Sequence, residues 1–234
     1  MALEQGVLRI FQEAWTSLKS HPILCLPTFI AWLAILLIGA GVMGIGLAGS
    51  EMMPLSFEFS SLRMMGTLMG WMMILMLIAL VLSLMAHGVT VVMAREAIES
   101  RPVEVLRALK IFRERLAHLF LAGVLVGVLV LIGTLFLFIP GLIAAFLLMF
   151  TIPGVMLDRL DAADALTRSF NVVRHHLSKA TLLFVGFIVL IALWAILSMI
   201  LGVVPIFGQL INLLLGSLMV GYVSLVLVKF YLEV

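Results

Sequence analysis

Charge is scarce in this sequence. Asp, Glu, Lys and Arg make up 11% of 234 residues, hydrophobic residues make up 65%, and the mean hydropathy is +1.32. A water-soluble domain carries about 25% charged residues, so this chain has too few to cover a globular surface. An integral membrane protein is the class that remains. Cysteine is reduced to Cys25, which excludes an intramolecular disulfide. The formal net charge of +2 is too small to hold a nucleic-acid backbone, so no nucleic-acid partner is expected. Catalytic signatures are missing too: there is no HExxH, Gly-x-Ser-x-Gly, P-loop or intramembrane aspartate pair. The chain is therefore not expected to be an enzyme, and no catalytic residue, cofactor or metal site is assigned.

Long apolar runs are what the sequence does have. Six are long enough to cross the roughly 30 Å of hydrocarbon at about 1.5 Å per residue: Ile23–Ala48, Met64–Met93, His118–Ile139, Gly141–Leu157, Ala180–Val203 and Gln209–Val228. Residues 1–21 mix charge and apolar groups and do not form the basic leader of a secretory signal, so no cleavage is expected. Gly49–Arg63, with Glu51, Pro54 and Glu58, reads as a loop. Ala94–Ala117 and Asp158–Lys179 are charged segments. Ser100 and Pro102 mark the start of a new helix in the first, and Asp161 is a candidate N-cap in the second, with Asp164 three residues on. Only Pro140-Gly141 separates the third and fourth runs, which predicts a tight helical hairpin. Pro205–Gly208 is the turn before the sixth.

The basic residues orient this arrangement. Of 14 Lys and Arg, the six-span reading puts 13 on one side: Arg9, Lys19, Arg95, Arg101, Arg107, Lys110, Arg113, Arg115, Arg159, Arg168, Arg174, Lys179 and Lys229. Only Arg63 falls on the other, so the positive-inside rule predicts cytoplasmic termini in a cytoplasmic (inner) membrane.

Three segments carry the same apolar stripe at i, i+4, i+7, i+11: Val7, Phe11, Ala14 and Leu18; Val105, Leu109, Phe112 and Leu116; Leu166, Phe170, Val173 and Leu177. Each precedes two spans of the same polarity. The expected architecture is all-α: three transmembrane hairpins, each preceded by a cytoplasmic amphipathic helix, in units 1–93, 94–157 and 158–234 of one membrane domain, as an internal repeat would produce. Arg9, Arg107 and Arg168 share one register opposite the stripe. With Arg174 and Lys179 they are the candidates for contact with anionic headgroups of the bilayer.

No Asp, Glu, Lys or Arg lies inside a predicted span. His87 is the one ionisable candidate there. With Thr90, Thr134 and Thr151 it defines a candidate polar path, although a neutral histidine bonded to a neighbouring helix is the commoner arrangement. Met65, Met69, Met72 and Met76 share a face. Thioethers bind Cu(I), but no cysteine or histidine continues such a route, and flexible packing accounts for them. His118 and His175-His176 read as interfacial residues. The pairs Gly66 and Gly70, Gly123 and Gly127, and Ser217 and Gly221 permit close helix approach, and Gln209 and Asn212 are suited to interhelical or headgroup hydrogen bonds.

Phe138-Ile139-Pro140-Gly141-Leu142, then Thr151-Ile152-Pro153-Gly154, then Asp164-Ala165-Leu166-Thr167-Arg168-Ser169-Phe170 and an apolar span resemble the six-span membrane domain of glycerophosphoryl diester phosphodiesterases, a group that includes uncharacterised bacterial and archaeal inner-membrane proteins. The resemblance is clearest over residues 136–190. It implies the six-span fold. In that family hydrolysis belongs to a separate catalytic barrel, for which these 234 residues leave no room, so no diesterase activity and no catalytic residue is implied. The expectation is a non-catalytic scaffold or accessory subunit that packs against membrane proteins, itself or lipids. The alternative is a transporter or lipid-handling protein with a path among the spans.

Overall fold

The structure, a computed structural model, describes the backbone of residues 2–51, 59–136, 138–204 and 207–234, and the side chains of these except 2–4, 42–51, 59–65, 67 and 68. Every regular element among them is helical: α1 (Ala2–Ser20), a short 3-10 turn (Pro22–Cys25), α2 (Leu26–Glu51), α3 (Phe59–Ile98), α4 (Val105–Phe136), α5 (Phe138–Leu147), α6 (Thr151–Leu157), α7 (Ala162–His175), α8 (Leu177–Leu201) and α9 (Phe207–Glu233). Six stretches are long and apolar enough to cross a membrane: Pro22–Gly41, Met69–Ile98, Val105–Phe136, Phe138–Leu157, Leu177–Leu201 and Phe207–Glu233. The chain is an all-α, multi-pass membrane protein. Of the expected loop at Gly49–Arg63, residues 52–58 lie outside the described residues, as do Pro205 and Met65's side chain, while 49–51 and 59–63 are helical, within α2 and α3.

Proline sets where several helices stop. Its ring clashes with the carbonyl four residues earlier, and it has no N–H to donate. Helix α3 ends at Ile98, four residues before Pro102; α4 ends at Phe136, four before Pro140; α8 ends at Leu201, four before Pro205. Pro153 acts on Met149 in the same way. The fourth span, expected as one run over Gly141–Leu157, is therefore two helices with a turn at residues 148–150. Pro140 itself is not the turn. It sits third in α5, where a backbone N–H would have no intrahelical partner.

Glycine brings α4 and α5 together behind that proline. A Cβ on Gly133 would lie 2.8 Å from the Gly141 nitrogen, and one on Gly141 would collide with Thr134 Oγ1 and its backbone. Of the other small-residue pairs, Gly221 admits Cys25 Sγ and Gly123 admits Leu84, whereas Gly66, Gly70 and Gly127 face open space.

Two expectations about the amphipathic segments change. Residues 105–116 are not a separate surface helix in front of a span. They are the first turns of α4, whose 32 residues form one rod about 48 Å long. Between Val105 and Ala122 there is no Gly, Pro or capping residue to break it, and Ala, Leu, Lys, Arg and Glu all favour helix. The buried seams also differ. In α1 most of the stripe is inside: Val7, Ala14 and Leu18 are buried against α8 and α9 together with Ile10, while Phe11 is half-buried. In α4 the seam is Ala108, Phe112, Leu119 and Ala122, with Leu109 and Leu116 exposed. In α7 it is Ala162, Ala165, Ser169, Val172 and Val173, with Phe170 exposed, as is Leu177 at the start of α8. Small residues let α7 lie close on α6, where a Cβ at Gly154 would meet Ala165 at 3.4 Å. Large apolar side chains alone do not report such a seam.

The core gathers at one end of the bundle. There α1, α7, the first turns of α4 and α8, and the last turns of α3, α6 and α9 enclose Leu24, Met93, Leu119, Phe150, Val173, Leu183, Leu225 and Phe230. Away from this base the spans present bare apolar faces, with Met72, Leu135, Met199 and Val203 among the most exposed side chains. Gly141→Ala should disrupt the α4–α5 contact, because behind the Thr134 hydroxyl the Thr134 backbone nitrogen lies 2.8 Å from the added Cβ and cannot move aside. A loss of about 1–3 kcal/mol is expected in thermal unfolding in detergent, with Gly127→Ala, in open space, as the silent control.

Candidate functional site

The polar groups of the base form joints between helix ends rather than a cleft. Arg95 and Glu96, adjacent at the end of α3, reach different neighbours. Arg95 Nη1 donates to the Leu157 carbonyl (3.2 Å), the last residue of α6, and its Nε pairs with Glu99 (2.8 Å). Buried Glu96 accepts from the Glu104 backbone N–H (3.2 Å), just ahead of α4, and lies 3.6 Å from Arg107 Nε. A cation thus meets a helix C-terminus and an anion a helix N-terminus, each the favourable sign for the helix dipole. The intervening turn closes with Arg101 N–H on the Glu96 carbonyl (2.8 Å) and Ser100 N–H on that of Ala97 (3.3 Å), Ser100 having φ +53°. This is a Schellman closure in a residue other than glycine.

Ser169 repairs the broken fourth span. Its hydroxyl donates to the Leu147 carbonyl (2.8 Å) and accepts from the Phe150 N–H (3.1 Å), joining the end of α5 to the start of α6 from a fully buried position on α7. Helix α9 carries three further joints. Tyr222 donates to the Phe11 carbonyl (3.1 Å), Lys229 pairs with Glu13, and the Tyr231 hydroxyl donates to Asp158, with Arg168 beside it. Phe150 and Phe230 stack with ring centres 5.3 Å apart.

The residues of the candidate polar path each bond a carbonyl close by in the chain. His87 Nδ1–H donates to Ser83 O (2.8 Å), Thr90 to Ala86 O (2.7 Å), Thr134 to Val130 O (2.7 Å) and Thr151 to Leu148 O (2.8 Å). Each is satisfied within or just ahead of its own helix. Thr90 and Thr151 are buried; Thr134 is exposed near the far end of α4. Among the candidates for headgroup contact, Arg9, Arg107, Arg168, Arg174 and Lys179 are all exposed around the base. Arg9 also pairs with Glu13 (2.5 Å), and Lys179 lines a notch of about 140 Å³ with Val7, Ile10, Phe230 and Glu233. His118 Nε2 meets Asp161 Oδ1 at 3.0 Å, and His175 bonds the Asn171 carbonyl (2.8 Å). Among the described residues no three His, Cys, Asp or Glu side chains are grouped to hold a metal ion.

A larger cavity lies elsewhere. Trp32, Ile35 and Leu36 of α2, Trp194 of α8, and Gln209, Asn212 and Leu213 of α9 line a groove of about 400 Å³. Asn212 Nδ2 donates to Ser198 Oγ across α8 and α9 (2.8 Å). Asn212 Oδ1 and Trp194 Nε1 are buried without a partner. Trp32 and Trp194 stand 6.3 Å apart, and Gly216 makes room for the Trp32 ring. The sequence reading took Asn212 only as a bridging group. Tryptophans on two separate spans carried no signal that they would meet.

Two predictions follow from the base. Ser169→Ala leaves a buried carbonyl and a buried N–H unpaired at the break, and should cost about 1–3 kcal/mol in thermal unfolding. Hydrogen bonding from Lys229, then from Arg9, holds Glu13 below its ordinary range, and Arg95 does the same for Glu99. A depressed folded value stabilises the fold above the ordinary glutamate value of about 4.3, and this contribution is lost as pH falls through the lowered value. The melting temperature should therefore drop from pH 6 towards pH 3, with a shallower slope in a Glu13→Gln/Glu99→Gln variant.

No protein-family model matches the chain, and neither a curated protein nor a solved structure resembles it significantly.

Proposed function

We propose that this chain is a non-catalytic polytopic membrane protein, a scaffold or accessory subunit that associates with membrane proteins or lipids through its spans. One observation carries the reading: the polar side chains are spent on joining helix ends at the base, while the spans beyond it present apolar faces. Such faces suit acyl chains or another helix, and a tied base keeps them in fixed relation. In this reading the base faces the cytoplasm of an inner-membrane protein with both termini inside, consistent with the 13 basic residues assigned to that side. The exposed Arg9, Arg107, Arg168, Arg174 and Lys179 then meet anionic headgroups. The two proline-glycine pairs at Pro140 and Pro153, shared with the phosphodiesterase membrane domain, belong to this architecture and not to hydrolysis.

A second reading, a transporter or lipid-handling protein, is favoured by the groove among α2, α8 and α9. Cross-linking in native membranes, followed by native mass spectrometry of the purified chain, separates the readings. A stoichiometric protein partner or self-association supports the scaffold. A retained lipid without a protein partner supports lipid handling. A strictly monomeric, lipid-free chain removes the first reading.

A further inference from the structure

We propose that the groove among α2, α8 and α9 binds a neutral, hydroxyl-bearing amphiphile of the bilayer, of the diacylglycerol type. The inference deepens the lipid-handling reading and rests on the same groove, but it concerns binding and not transfer.

The chemistry of the lining selects the ligand. Trp194 Nε1 is an obligate donor and Asn212 Oδ1 an acceptor; both are buried, unpartnered and on side chains that line the cavity. In an apolar medium each costs free energy until it is bonded. One hydroxyl meets both needs, accepting from the indole N–H and donating to the amide oxygen. A ketone or ester carbonyl satisfies the indole alone. A phosphate has no proton for Asn212 at neutral pH and needs a cation, yet no Lys, Arg, Asp or Glu lines the groove. Of the remaining walls, Trp32, Ile35, Leu36 and Leu213 suit hydrocarbon, the exposed Gln209 adds an amide at the rim, and about 400 Å³ lies within the range of small-molecule sites.

The position fits a ligand arriving from the bilayer. Asn212 lies 17 residues before Lys229, which pairs with α1 at the base, so the groove is about 25 Å along α9 from that end. Leu36 and Gln209 of its lining are exposed, as is the neighbouring Leu210.

The test uses the tryptophans themselves. With Trp15→Phe and Trp71→Phe in the full chain, Trp32 and Trp194 are the emitters that remain. Emission in lipid nanodiscs is titrated with a dibrominated diacylglycerol and, separately, with a dibrominated phosphatidylcholine of equal bromine content. Saturable quenching by the diacylglycerol, at a mole fraction at least fivefold below that needed with the phosphatidylcholine, is expected. Asn212→Leu should raise its midpoint about tenfold, as should Trp194→Phe with Trp32 reporting, each checked for an unchanged circular dichroism spectrum. Equal, non-saturating quenching by both lipids overturns the proposal, as does an unchanged midpoint in both variants. Selective quenching without transfer of the lipid between vesicles retires the lipid-handling reading and keeps the site.

Discussion

The base of this protein depends on two adjacent side chains of opposite charge at the end of α3. Consecutive residues on a helix point about 100° apart, so Arg95 and Glu96 reach different partners, one closing α6 and the other opening α4. Burying Glu96 is expensive unless its charge is met by donors. The Glu104 N–H and Arg107 meet it only if the connection returns tightly, which is what the left-handed Ser100 achieves. A rotation of α3 would break both grips at once. The rod-like α4 and the broken fourth span take their positions from the same helix turn.

Helix α9 is the second constraint. It touches α1 through Tyr222 and Lys229 and the residues capping α6, Phe150 and Asp158, through Phe230 and Tyr231, and it carries small Gly216, Ser217, Gly221 and Ser224. Those small positions let α2 and the 3-10 turn press close, with Cys25 and Trp32 filling the space that side chains would occupy. One helix therefore carries both the aromatic packing of the base and one wall of the groove. The cost is that the groove cannot widen without disturbing contacts made by the same backbone.

What the sequence disclosed follows from what sets each feature. Apolar length is local, so the six spans were legible, and so was the presence of prolines. Their effect four residues upstream was not: the break ahead of Pro153 falls inside what reads as one span, Gly141–Leu157, and α4 ends at Phe136, ahead of the Pro140-Gly141 turn. The stripes of α4 and α7 misled because large apolar residues were weighted over Ala108, Ala162, Ala165 and Ser169, which form the close contacts. Glu96 and Ser169 had no signal of their own. A glutamate among charges and a serine in an amphipathic helix become joints only when a helix end from elsewhere arrives beside them. The meeting of Trp32 with Trp194, 162 positions apart, is likewise set by tertiary packing.

The distribution of unsatisfied polarity is the remaining argument about purpose. At the base most polar groups are paired: Ser169 uses both roles of its hydroxyl, and the candidate path residues turn back onto their own helices, while the buried His118 Nδ1 and Thr28 Oγ1 have no partner. Such thrift follows from the cost of unpaired groups in a medium without water. Against it, an indole N–H and an amide oxygen stand together, buried and unpartnered, on side chains that line one cavity with apolar walls. Of the groove and the notch beside Lys179, only the groove is lined by side chains with unpartnered buried polar atoms, which is why the groove, and not the more polar base, is where a ligand is to be sought.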